Sequence, residues 1–114
     1  MEHTMTRDEL SSLLTSAKPP LLLETLPAKY FEDSHLPGAR NMPHDAVAEL
    51  APVLAPDKTA PIVVYCANAA CQNSHVAAVR LKQLGYTEVR VYAGGKQDWI
   101  AAGLPVEQGS AVTA

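Results

Sequence analysis

A short apolar run that ends on a thiol constrains this chain more than any other stretch. Ile62-Val63-Val64-Tyr65 is β-branched and aromatic, too short for a stable helix and preceded by Pro61, so it reads as a buried strand. Cys66 follows it directly. Ala67-Asn68-Ala69-Ala70-Cys71-Gln72-Asn73 is small and polar, and from Ser74 apolar residues recur at Ala77, Ala78, Leu81 and Leu84 with the spacing of an amphipathic helix. A thiol between such a strand and helix lies at the carboxyl end of the strand, where open α/β sheets bind ligands. The helix amino terminus beside it presents unsatisfied N–H groups and partial positive charge, and both favour thiolate over thiol. Cys66 is therefore the candidate nucleophile. A structural cysteine buried at a strand end is the plainer alternative.

The flanking segments alternate in the same way. Thr6-Arg7-Asp8-Glu9 has the form of a capping box, and Leu10, Leu13 and Leu14 follow at helical spacing, which predicts a helix over 7–16, stopped by Lys18-Pro19-Pro20. Leu21-Leu22-Leu23 reads as a buried strand ending at Glu24, and Pro27 opens a brief helical turn through Tyr30 and Phe31. The Pro37-Gly38 turn leads to a second short strand near Met42. Val47, Leu50 and Val53 have helical spacing, but Pro52 is expected to break or end that helix. Gly85 caps the long helix, Glu88 to Tyr92 is a last strand, Gly94-Gly95 a tight turn, and Lys96 to Ala102 a final helix around Trp99. Alternating strands and helices predict an α/β fold with a mostly parallel sheet covered on both faces.

With 114 residues the chain is expected to form one domain over 1–114, its core within about 6–107 and its tail, 108–114, frayed. A net charge of −3 with no block of like charges gives no reason to expect nucleic acid or an anionic membrane as partner. The amino terminus lacks the basic start and apolar core of a secretory signal. No apolar run approaches the length of a membrane span. Two cysteines five positions apart are not the framework of a small secreted fold, so a reducing cytoplasm is the expected compartment.

Three places together resemble the rhodanese domain. Phe31-Glu32-Asp33-Ser34-His35-Leu36-Pro37-Gly38-Ala39 is similar to its amino-terminal signature, and Val64-Tyr65-Cys66 to the strand delivering its active-site cysteine. Leu84-Gly85-Tyr86, Tyr92 to Trp99 and Gly103-Leu104-Pro105 are similar to its carboxy-terminal signature. The resemblance covers about 6–107 and implies a rhodanese-like three-layer α/β/α fold with a mostly parallel five-stranded sheet. It also implies a single-domain sulfurtransferase in which Cys66 takes a sulfane sulfur from a small-molecule or protein donor, such as thiosulfate or a persulfide. The sulfur then passes to a thiophilic acceptor, with no cofactor or metal. The backbone of the loop from Ala67 through Asn68, Ala69, Ala70, Cys71 and Gln72 to Asn73 is then the expected anion nest.

The chain departs from that family in its loop. Eight residues run from Cys66 to Asn73 and none is basic, where the family usually has six and at least one cation. A dianionic donor would need cations from elsewhere, with Lys96, Arg40 and His75 as candidates. Rhodanese-like phosphatases carry an arginine six positions after the cysteine, and Gln72 there cannot neutralise a phosphoryl dianion. Cys71 is either a resolving thiol for Cys66, within reach of a disulfide if the loop curls, or a small apolar residue packed beneath it. A thiol redox or sensor protein using the Cys66–Cys71 pair and a non-catalytic interaction module are accordingly the rival readings. Glu24 reads equally as a brace for the loop or a surface carboxylate, His35 as a structural turn residue, His75 as solvent-facing and Trp99 as a core anchor. Cys66, Cys71 and His75 give only three zinc ligands at unusual spacing, so no metal site is assigned.

Overall fold

The computed structural model describes residues 3–109. In chain order these form β1 (Thr4–Met5), α1 (Arg7–Leu14), β2 (Leu21–Glu24), α2 (Ala28–Asp33) and β3 (Arg40–Asn41), then α3 (Val47–Leu54), β4 (Ile62–Tyr65), α4 (Asn73–Gln83), β5 (Val89–Tyr92) and α5 (Gly95–Ala101). The five strands make one sheet in the order β1-β5-β4-β2-β3, with every pairing parallel. Strand β4, which leads into Cys66, is therefore central, and all four of its residues are buried.

Alternation along the strands sorts the core into two layers. Leu23, Ile62, Val64, Val89 and Val91 face α3 and α4, packing with Val47, Ala51, Ala77, Ala78 and Leu81. Leu22, Val63, Tyr65 and Tyr92 point to the other face, where Leu10, Phe31 and Trp99 from α1, α2 and α5 cover them. The three-layer expectation holds.

Local signals account for most of the ends. Thr6 and Glu9 form the reciprocal capping box of α1. That helix stops at Leu14, short of the expected 16, because the hydroxyls of Thr15 and Ser16 take the carbonyls of Ser12 and Leu13. Gly85, at φ +101°, closes α4 with Gly85 N–H donating to Lys82 O and Tyr86 N–H to Leu81 O. Two expectations need revision. Pro52 lies inside α3 without ending it: the carbonyl that loses its helical donor belongs to Ala48, an exposed residue, and Ala55 N–H still bonds Ala51 O. Strand β1 carries too little sequence to be read and exists by pairing with Val91 and Tyr92. At the carboxyl end Gly109 N–H donates to Glu32 O, while 110–114 of the tail expected to fray lie outside the described residues.

Candidate active site

Cys66 is the first residue beyond β4 and is 1% exposed. Its backbone is held on both sides. Thr25 donates to the preceding Tyr65 carbonyl through both its N–H and its hydroxyl, each at 3.0 Å. From the other side, Lys96 N–H donates to Cys66 O at 2.9 Å and Gln97 N–H to Ala67 O at 2.8 Å, so the first turn of α5 is laid against the loop. Gly95 permits that approach: a Cβ there would stand 2.7 Å from Cys66 O and 2.9 Å from Asn68 N, and its φ is +71°. Asp98, in the same turn of α5, accepts from Arg7 Nη1 at 3.0 Å and from the Tyr92 hydroxyl at 2.6 Å. Burial, helped by Asp98, pushes the Tyr92 hydroxyl pKa up and keeps it a donor.

The loop is one residue shorter than expected, because α4 begins at Asn73 and leaves Cys66 to Gln72. Asn68 organises it. Its Oδ1 accepts from Ala70 N–H at 3.0 Å and Cys71 N–H at 3.1 Å, and its backbone carbonyl also accepts from Cys71 N–H at 3.2 Å. Two N–H groups expected in an anion nest are thus engaged within the loop. The same curl joins Cys71 to Cys66 in a disulfide, with Cα atoms 6.2 Å apart.

Beneath the loop lies a buried polar cluster whose composition the sequence leaves open. Glu24 has no exposed surface, which removes the surface-carboxylate alternative. Lys96 Nζ lies 3.0 Å and 3.1 Å from its two carboxylate oxygens and donates to Tyr30 O at 3.0 Å. The Tyr65 hydroxyl donates to Glu24 Oε1 at 2.9 Å and accepts from Leu36 N–H at 3.1 Å. Burial raises the Glu24 carboxyl pKa, against the opposing pull of Lys96 and Tyr65, and burial raises the Tyr65 hydroxyl as well.

Of the three cations considered for an anionic donor, Lys96 is therefore committed to Glu24 and Tyr30. Arg40 is exposed on β3, two strands from β4. His75 is half-buried and lines a surface depression of α4 with Val76, Val79, Arg80 and Gln83. His35 stacks on Phe31 at 3.8 Å between ring centroids, its Nδ1 lies 2.7 Å from Phe31 O, and its backbone pairs with Glu107, which gives it the structural role expected. Trp99 is a buried anchor whose Nε1 donates to Pro105 O. Thr25, Gly95 and Tyr65 were not legible as site residues. Gly95 alone carried a signal, as half of a glycine pair before a helix.

A family model described as the rhodanese-like domain matches residues 6–102. The chain belongs to the rhodanese-like family. Its fold superposes on a thiosulfate sulfurtransferase from Pseudomonas aeruginosa with a TM-score of 0.83 and 26% identity, over 94% of this chain and 20% of that one. The rhodanese-like domain of an Anabaena sp. protein matches with a TM-score of 0.83 and 26% identity, over 100% of this chain and 85% of that one. An E. coli rhodanese with anions gives 0.67 and 29%, over 79% and 99%. In sequence, an HTH-type transcriptional regulator of Mycobacterium tuberculosis is 34% identical over 91 residues, which is 80% of this chain and 39% of the regulator. The rhodanese-like chain thus spans about two fifths of that curated relative. No helix among the described residues is long and apolar enough to cross a membrane.

Proposed function

We propose that this rhodanese-like domain is a sulfurtransferase in which Cys66 takes up a sulfane sulfur as a persulfide and yields it to a thiophilic acceptor. The observation that carries this reading is the placement of Cys66 between the end of central strand β4 and the amino terminus of α4, with its carbonyl held by α5. A helix amino terminus favours thiolate over thiol in general, and the thiolate is the attacking species. With thiosulfate, the Cys66 thiolate attacks the outer sulfur and sulfite leaves with the bonding pair. An acceptor such as cyanide then takes the sulfur and restores the thiolate. No Lys or Arg lies between Cys66 and Gln72, and Lys96 is bound to Glu24, which favours a persulfide donor over dianionic thiosulfate.

The test is sulfur transfer to cyanide from thiosulfate and from an alkyl persulfide, with reduced protein and its Cys66→Ser variant. Transfer is expected to fall to background in a variant whose circular dichroism is unchanged. Activity surviving the substitution refutes the assignment.

A second reading, a thiol redox sensor working through the Cys66–Cys71 pair, is supported by the disulfide itself and by the transcriptional regulator among its relatives. It predicts a reversible disulfide with little transfer.

A further inference from the structure

Resting on the persulfide reading of Cys66, we propose that the domain also reduces the sulfur it accepts: Cys71 attacks the Cys66 persulfide, expels the outer sulfur as hydrosulfide and closes the Cys66–Cys71 disulfide. In this fold the Cys71 sulfur reaches Cys66 Sγ, which is the inner atom of that persulfide. A nucleophile there displaces the outer sulfur without any outside acceptor.

Both cysteines are held for this encounter. Asn68 grips the Cys71 N–H with its side chain and its carbonyl, while Lys96 and Thr25 fix the backbone on either side of the Cys66 nitrogen and carbonyl. Charge favours the same outcome. A persulfide anion on Cys66 finds no Lys or Arg in its own loop, and Lys96 Nζ is saturated by Glu24 and Tyr30 O. Nothing cationic in the loop retains the outer sulfur, so discharge competes with storage.

The step balances. A bond forms between the two Sγ atoms as the bond from Cys66 Sγ to the outer sulfur breaks. The departing sulfur takes that electron pair together with the Cys71 thiol proton and leaves as hydrosulfide. The sulfane sulfur is reduced by two electrons, and the two cysteine sulfurs supply one each. Further turnover needs a dithiol reductant. Cys66 is buried in the closed loop and Cys71 only partly, so the reductant attacks Cys71 and releases Cys66 as the thiolate.

The experiment takes fully reduced protein, freed of reductant and kept anaerobic, and offers thiosulfate or, in a parallel series, an alkyl persulfide, with no acceptor. Hydrosulfide is assayed against the Cys66→Ser background, and intact mass is read by mass spectrometry. The native chain is expected to release about one hydrosulfide per molecule and to end two hydrogens lighter. Cys71→Ser, with Cys71→Ala as a second variant, is expected to release none and to keep one added sulfur, about 32 Da. A native chain that keeps the sulfur and releases no hydrosulfide overturns the reductive step and leaves the transfer reading intact. Cys71 variants that gain no sulfur from either donor overturn the transfer reading, and the reductive step with it.

Discussion

Lys96 serves Cys66 through its backbone and Glu24 through its side chain: its N–H donates to Cys66 O at 2.9 Å while its Nζ binds both Glu24 carboxylate oxygens. One residue of α5 therefore ties the reactive loop to a buried ion pair. The geometry at the thiol and the integrity of the polar cluster are expected to rise and fall together.

The close approach of α5 is the first place to test this. Gly95→Ala would drive a Cβ into Cys66 O and Asn68 N and force alanine to φ +71°. We expect a loss of about 2 kcal/mol or more in urea denaturation, with a slower reaction of the reduced thiols toward an alkylating probe. Unchanged stability would show that the loop can retreat from α5 freely.

Tyr65→Phe removes one hydroxyl that serves two partners, Glu24 Oε1 and Leu36 N–H. Both are left short of a hydrogen bond in a buried site, at a cost of about 1–3 kcal/mol. Chemical denaturation measures it. A smaller loss would mean that water enters to replace the hydroxyl.

Glu24→Gln removes the titration at the centre of the cluster. Burial holds the Glu24 carboxyl above its ordinary range, so the folded chain binds that proton more tightly than the unfolded chain does. The resulting stabilisation is complete below the unfolded value of about 4.3 and is lost as pH rises through the higher folded value. The native chain is therefore expected to lose stability relative to Glu24→Gln as pH is raised from about 4 to about 7. Denaturation midpoints at a series of pH values give the difference, and a trend in the opposite direction would show that Lys96 and Tyr65 outweigh burial.

The Cys66–Cys71 disulfide closes a loop of only six residues counted inclusively, so its entropic contribution to folding is modest, about 2 kcal/mol. Reduction with a dithiol is expected to lower the stability of the native chain by that amount and to leave Cys71→Ser unaffected. Equal loss in both proteins would point to an effect of the reductant elsewhere.

The sequence by itself determined what depends on neighbours along the chain. The β-branched run ending on Cys66, the capping box of Thr6 and Glu9 and the left-handed cap at Gly85 are local in origin, and each is where the residue pattern put it. The alternation of strand and helix patterns is equally local, which is why a sheet covered on both faces was legible. Tertiary structure alone decided the rest. Strand β1 is held by β5, Pro52 is tolerated where the carbonyl it deprives belongs to the exposed Ala48, and Glu24 and Lys96 are partners only because β2 and α5 meet near the loop. The loop itself is shaped locally, the Asn68 side chain accepting from the Ala70 and Cys71 N–H groups, and this course brings Cys71 to Cys66. Short-range periodicity and capping are carried by a few consecutive residues. Burial, ion pairing and close backbone approach belong to groups brought together by the whole fold.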